Sequence, residues 1–305
     1  MSERNKHKHP CSIFSLESDE EMFGTAPRVE TWFLLEYGGH WTGDAFKDSK
    51  IPGKVKKRIK RYLKTYKNSR LQLIKQQKAT EEGIKLFIAL STESRPRLYE
   101  LTLEGYEDLL RLDIKSLLKG DSNLRKEPLF LICTNGEYDT CCGKFGMPVY
   151  LDIAEGVHGP DTWQTIHIGG HRFASTFICF PHGLYYGGIR EGRRAEELIE
   201  EYKKGHINIR NYRGRTCYEQ EVQAAEYFLR KETGISEIAI CPLKKHKKTK
   251  RGLSVEFIYK DEKTKYKMKI RKLADQIRVF KNCGDKKTSY VTQYRLKDFK
   301  TGPAD

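Results

Sequence analysis

Two short stretches of the chain gather the side chains best suited to hold a metal. The first runs Cys133-Thr-Asn-Gly-Glu-Tyr-Asp-Thr-Cys141-Cys142-Gly-Lys-Phe-Gly146, the second His167-Ile-Gly-Gly-His171-Arg-Phe-Ala174. Together they supply a set of four donors, and thiolate with imidazole suits either an iron–sulfur centre or zinc. The two histidines stand four positions apart around Gly169-Gly170, and paired glycines favour a tight loop whose backbone lies close to something bulky over a regular helix. Structural zinc knuckles space their cysteines two to four residues apart, whereas eight residues separate Cys133 from Cys142, which makes zinc the weaker reading. The order Cys…Cys…His…His also departs from a Rieske site, where each loop brings one cysteine and one histidine. Spacing alone leaves an iron–sulfur cluster, zinc, a reactive thiol and ordinary buried residues all open.

The rest of the chain has to position these stretches. At 305 residues it is long enough for one large or two small domains with real cores. Hydrophobic residues make up 38% and charged residues 32%, and no apolar run reaches the length a membrane helix requires. The first residues lack the apolar core of a secretory signal, and acidic residues soon follow, so the expected location is cytoplasmic. Eight cysteines are too dilute over this length for a secreted disulfide framework, which fits a reducing compartment. Cys11, Cys179, Cys217, Cys241 and Cys283 stand alone in sequence and read as small buried hydrophobes. The net charge of +16 is spread over lysines without a nucleic-acid motif. It reads first as a solvated basic surface, then as a docking face for an acidic protein, and last as a nucleic-acid binder.

Periodicity divides the chain into a disordered tail (1–10), an N-terminal mixed α/β region (11–124), a central domain (125–236) and a basic β segment (237–305). In the second region the spacing predicts a strand over Val29–Tyr37, a basic amphipathic helix from Pro52 with Val55, Ile59, Tyr62 and Leu63 on one face, three further strands, and a helix over Tyr106–Leu118. Pro128–Ile132 reads as a buried central strand with Cys133 at its carboxyl end, where open α/β sheets place their sites. A helix is expected from Pro148, a hairpin around Pro181-His182-Gly183, and helices over Ala195–Lys204 and Glu219–Lys231. Lys244–Arg251 reads as a basic loop. Alternation at Val255, Phe257, Tyr259 and at Tyr266, Met268, Ile270, about the charged turn Asp261-Glu262-Lys263, predicts a short β-hairpin. No internal repeat is visible.

Over most of its length the chain resembles the sucrase/ferredoxin-like proteins. The resemblance rests on Gly24-Thr25-Ala26, Trp32-Phe-Leu-Leu-Glu36, the cysteine stretch with Asp139 and Cys142-Gly, His167-x-Gly-Gly-His171-Arg-Phe-Ala174, Tyr212-Arg-Gly-Arg215 and Val222-Gln-Ala-Ala225. It implies an α/β protein with a thioredoxin-like ferredoxin domain, and, as in the fungal members, a [2Fe–2S] cluster bound by Cys133, Cys142, His167 and His171. A register slip of one would use Cys141 in place of Cys142. Asn135 and Glu137 stand where related motifs carry histidine and arginine. The function implied is one-electron transfer between redox donor and acceptor proteins, with neither membrane nor nucleic acid as partner. Two rivals remain: a thiol–disulfide oxidoreductase using Cys141 and Cys142, without the Cys-x-x-Cys of that chemistry, and a zinc-stabilised basic binding module. Arg172 and Trp163 are ambiguous. Arg172 could steer a partner or offset the cluster's charge, or be salt-bridged in the scaffold; Trp163 could shield the cluster or be core; Asp139 reads as a cap of its loop.

Overall fold

The computed structural model describes residues 10–77, 83–249, 252–260 and 263–303. Residues 1–9 of the expected tail (1–10), Lys250 and Arg251 of the expected basic loop, and Asp261 and Glu262 of the expected turn lie outside the described residues.

The helices are α1 (Cys11–Glu17), α2 (Ala45–Asp48), α3 (Gly53–Thr65), α4 (Ile114–Leu117), α5 (Thr140–Ala154), α6 (Gly192–Lys203) and α7 (Gln220–Thr233). The strands are β1 (Thr31–Glu36), β2 (Ser69–Lys75), β3 (Ile84–Leu90), β4 (Arg97–Leu103), β5 (Leu129–Cys133), β6 (Thr162–Thr165), β7 (Phe177–Phe180), β8 (Leu184–Tyr186), β9 (Tyr212–Arg215), β10 (Leu243–Thr249), β11 (Gly252–Ile258), β12 (Thr264–Val279) and β13 (Ser289–Pro303).

Among the described residues the strands form a mixed nine-stranded sheet, order β4-β3-β1-β2-β6-β5-β7-β8-β9, and an antiparallel four-stranded sheet, order β10-β11-β12-β13. The protein is α/β, as the sequence predicts. In the large sheet β1 and β2 run parallel around α2 and α3, and β5 and β6 run parallel around α5. The β6-β5-β7-β8 order followed by α6 has the thioredoxin-like arrangement. One sheet passes continuously through the stretches on either side of residue 124, joined where β2 meets β6 at Ile74↔Thr165 and Lys75↔Gln164. Trp32, Phe87, Trp163 and Phe180 pack in a core that spans this seam and includes Cys133 and Cys142.

Several elements differ from their sequence readings. The helix expected from Pro148 starts eight residues earlier, at Thr140, because the Asp139 carboxylate accepts from Cys141 N at 2.9 Å and caps it. Pro148 is carried inside that helix at the loss of one backbone hydrogen bond. The helix expected over Tyr106–Leu118 is instead a 3₁₀ turn, Tyr106–Leu110, and then α4, since Asp113 accepts from the backbone N–H groups of Lys115 and Ser116 and starts a new N-terminus. The basic loop before the hairpin is β10, almost wholly exposed. Backbone pairing with β11 needs no apolar side chains, and lysines suit an exposed sheet edge. The short hairpin is in fact the middle of a four-stranded sheet. Val255 pairs with Met268 and Phe257 with Tyr266 as the alternation implies, but β12 and β13 continue through Ile277↔Val291 to Val279↔Ser289. That sheet packs Leu253, Val255, Phe257, Met268 and Ile270 on Val222, Ala225 and Leu229 of α7.

Candidate metal centre

Cys133 ends β5 and Cys142 lies in the first turn of α5, so the donors meet where a parallel strand gives way to a helix. Glycine makes this approach possible. A Cβ on Gly146 would stand 1.9 Å from the Cys133 carbonyl oxygen, and one on Gly143 would stand 2.9 Å from Gly136 Cα. Helix α5 therefore settles against the end of β5 and against the loop over residues 134–139.

The sulfurs of Cys133 and Cys142 and a ring nitrogen of His167 all lie within 4.8 Å of one another. Cys142 Sγ is 3.6 Å from His167 Nδ1, and His167 Nε2 is 3.4 Å from His171 Nδ1. His171 Nε2 abuts the Lys281 carbonyl oxygen, which has no proton to give, so the ring carries its proton on Nε2 and turns its Nδ1 lone pair toward His167 Nε2. Burial lowers the His171 pKa, opposed by the Asp139 carboxylate 3.8 Å away, and neutral imidazole is the ligating form. Burial alone would keep Cys133 protonated, but the Cys142 thiol and the His167 ring outweigh it and hold Cys133 well below the usual thiol range. The Cys142 thiol is correspondingly raised, first by that hydrogen bond and then by burial.

The histidine loop is pinned from behind. Arg70 donates to the carbonyls of His167 at 2.8 Å and Ile168 at 3.1 Å, and Arg213 to that of Gly169 at 2.9 Å. Gly169 and Gly170 both have positive φ, 102° and 77°. A Cβ on Gly170 would come within 2.4 Å of the Arg213 guanidinium. The bulky neighbour that the paired glycines imply is thus an arginine of the Tyr212-Arg-Gly-Arg215 stretch. Burial lowers Arg213 to about 10, which leaves it charged at neutral pH.

The structure brings Cys133, Cys142 and His167 together, with His171 beside them, and turns Cys141 away. Cys141 Sγ lies 3.5 Å from Cys11 and 3.3 Å from Cys283, and those two sulfurs are 3.4 Å apart. Cys11 and Cys283, expected to be isolated, are therefore clustered. No local spacing signals this, because the three come from α1, α5 and the β12–β13 connection. Within the cluster Cys141 is lowered to about 2 by hydrogen bonds from Cys11 and Cys283. Arg172 is structural: its Nε lies 2.8 Å from Glu20, whose side chain is fully buried. Asp139 caps α5 and also accepts from Cys283 N at 2.9 Å. Trp163 belongs to the shared core, edge-on to Phe87 at 5.5 Å. Tyr138 carries no signal in the sequence reading, yet its ring stacks on His167 at 3.9 Å with an 8° interplanar angle. Its place inside the cysteine stretch is the one hint it offered.

Fold and donors together define an α/β protein with a buried cysteine–histidine centre at the carboxyl end of a parallel strand. The sucrase/ferredoxin-like family pattern matches residues 22–214, and the chain belongs to that family. It is also similar to "Altered inheritance of mitochondria protein 32" of Meyerozyma guilliermondii, 27% identical over 139 residues, covering 42% of this chain and 49% of that protein. The chain thus spans about half the length of the curated relative it matches. No solved structure matches the chain. Among the described residues no helix is long and apolar enough to cross a membrane.

Proposed function

We propose that the protein is an electron carrier whose [2Fe–2S] cluster is held by Cys133, Cys142, His167 and His171. The observation that carries this reading is the convergence of two sulfurs and a histidine nitrogen within 4.8 Å, with the Nδ1 of a second, tautomer-fixed histidine next in line. A mixed thiolate and imidazole set fits iron–sulfur ligation. Such a cluster supplies reversible one-electron transfer, at a potential raised by neutral imidazole in place of thiolate.

The chain's own residues prepare the place. The Cys142 thiol and the His167 ring favour the thiolate form of Cys133, Arg70 and Arg213 fix the loop that aims both imidazoles, the Lys281 carbonyl sets the His171 tautomer, and Tyr138 covers one face of His167. Lys144 and Lys281 are exposed beside the centre, which favours acidic redox proteins as donor and acceptor. Eight cysteines, too dilute over the chain for a secreted disulfide framework, suit a reducing compartment such as the cytoplasm. The name of the matched relative refers to mitochondria, which makes that organelle the second location to examine.

The test is anaerobic purification followed by a visible spectrum and iron and sulfide analysis, repeated on His167→Ala and Cys142→Ala. A red-brown protein with about two irons and two sulfides per chain, lost or altered in both variants, is expected. A colourless chain unchanged by either substitution would overturn the reading.

A further inference from the structure

Of the six cysteine sulfurs that the cluster reading does not use, those of Cys11, Cys141 and Cys283 form a compact triangle, 3.3 to 3.5 Å on a side, with the Asp139 carboxylate close by. We infer that Cys11, Cys141, Cys283 and Asp139 form a second metal site, one that takes a single zinc ion. The inference goes beyond the cluster reading and stands without it.

The geometry favours one ion. Tetrahedral zinc with Zn–S of about 2.3 Å places its sulfurs about 3.8 Å apart, so each edge of this triangle has to open by only about 0.3–0.5 Å. A [4Fe–4S] cluster would spread its thiolates more widely, since each would bind a different iron, and a [2Fe–2S] cluster would set at least one of three thiolates apart on the second iron. A disulfide would need one pair to close to about 2.05 Å and would strand the third thiol. The three edges are nearly equal, and no pair is singled out.

The surroundings are those of ligated thiolates. Cys11 N–H donates to Cys283 Sγ at 3.5 Å, and the Asp139 oxygens are oriented by Cys141 N and Cys283 N, each at 2.9 Å. Cys11, Cys141 and Asp139 are buried and Cys283 is half-buried. Three thiolates and a carboxylate bound to zinc leave net negative charge. Arg190 stands ready to balance it, with its guanidinium over the Phe145 ring at 3.7 Å, one nitrogen on Ser12 Oγ, and Nη1 buried without a hydrogen-bond partner among the described residues.

The three thiol ligands are separated by 130, 142 and 272 residues in sequence. One zinc would therefore tie α1 and the β12–β13 connection to α5, the helix that carries Cys142. The same connection sets the Lys281 carbonyl against His171, so the zinc would serve as a clip that holds the cover over the cysteine–histidine centre.

The experiment measures zinc and iron separately on the full chain, expressed with both metals supplied and purified anaerobically. About one zinc per chain is expected in the wild type. In a Cys11→Ser/Cys283→Ser double variant zinc should fall ~10-fold or more. In Cys142→Ala and His167→Ala zinc should remain, whatever happens to iron. Zinc absent from the wild type, zinc retained in the double variant, or zinc lost from Cys142→Ala and His167→Ala would each overturn the inference. So would a disulfide among Cys11, Cys141 and Cys283 in the alkylated wild type. Should the double variant fail to fold, zinc-edge X-ray absorption on the wild type decides. About three sulfurs and one oxygen around zinc support the site, and two sulfurs with two nitrogens overturn it. Failure of the cluster reading shows in the iron alone.

Discussion

The two halves of the large sheet have the same connectivity and different chemistry. One runs β1-α3-β2-β3-β4 in the order β4-β3-β1-β2, and the other runs β5-α5-β6-β7-β8 in the order β8-β7-β5-β6, and the two abut through β2 and β6. The sequence shows no repeat, yet β1 corresponds to β5 and α3 to α5. In the first half the helix rests on the sheet through Val55, Ile59 and Tyr62, and the connection after β1 buries Tyr37 and Trp41 in the same core. In the second half Gly146 lets α5 down onto the Cys133 carbonyl, and Asp139 starts the helix early enough to put Cys142 beside the strand end. The fold offers the same position twice. It becomes a metal-type centre where glycine shortens the distance and cysteine supplies the donor.

The second half also carries β9 and α7, which have no counterpart in the first. There Glu226 lies 2.9 Å from Arg215, 3.0 Å from Arg230 and 2.8 Å from Tyr212 Oη, all of them buried. Burial alone would favour its neutral acid, but the Arg215 and Arg230 charges outweigh it and keep Glu226 below the usual carboxylate range. Glu226→Gln leaves two buried guanidiniums uncompensated and should cost about 3–5 kcal/mol, read by urea denaturation. A loss under 1 kcal/mol would show the network to be dispensable.

Gly146→Ala tests the close approach itself. Its methyl would meet backbone that cannot give way, so the variant should lose about 3 kcal/mol and, on the proposed cluster reading, much of its iron. Stability at the wild-type level would mean that α5 does not sit where the comparison requires.

His182, in the β7–β8 turn, has its Nδ1 2.6 Å from Tyr202 Oη. Burial, then the Arg215 charge, lowers its pKa to about 4, below the unfolded value near 6.5. The unfolded state therefore binds the proton first. This contribution is whole above about pH 6.5 and disappears as pH falls toward 4, up to about 3 kcal/mol. Wild type should lose more stability than His182→Asn between pH 7.5 and 4.5, and equal losses would refute the assignment.

The smallest effect belongs to the first half. Tyr62 Oη lies 2.8 Å from the carbonyls of Leu109 and Leu112 and 3.0 Å from Arg58 Nε. Tyr62→Phe should cost about 1 kcal/mol and leave iron content unchanged. Iron loss on this substitution would mean that the halves are coupled more tightly than their two-pair seam implies.

The α/β class, the strand ending in Cys133 and the candidate donors were legible in the sequence, because apolar runs and clustered cysteines and histidines are local signals. The start of α5 was hidden by Pro148, a residue that favours helix beginnings, while the true cap was an aspartate read as a loop residue. The C-terminal sheet was read too short because exposed lysine-rich strands lack the alternation that marks a half-buried one. The sequence by itself singled out Cys133, Cys142, His167 and His171 as candidate donors, and an open strand end that would present them. Only the tertiary structure decided that Cys142 faces His167 while Cys141 faces Cys11 and Cys283. Adjacent residues on a helix point about 100° apart, and what each one meets depends on segments that reach it from both ends of the chain.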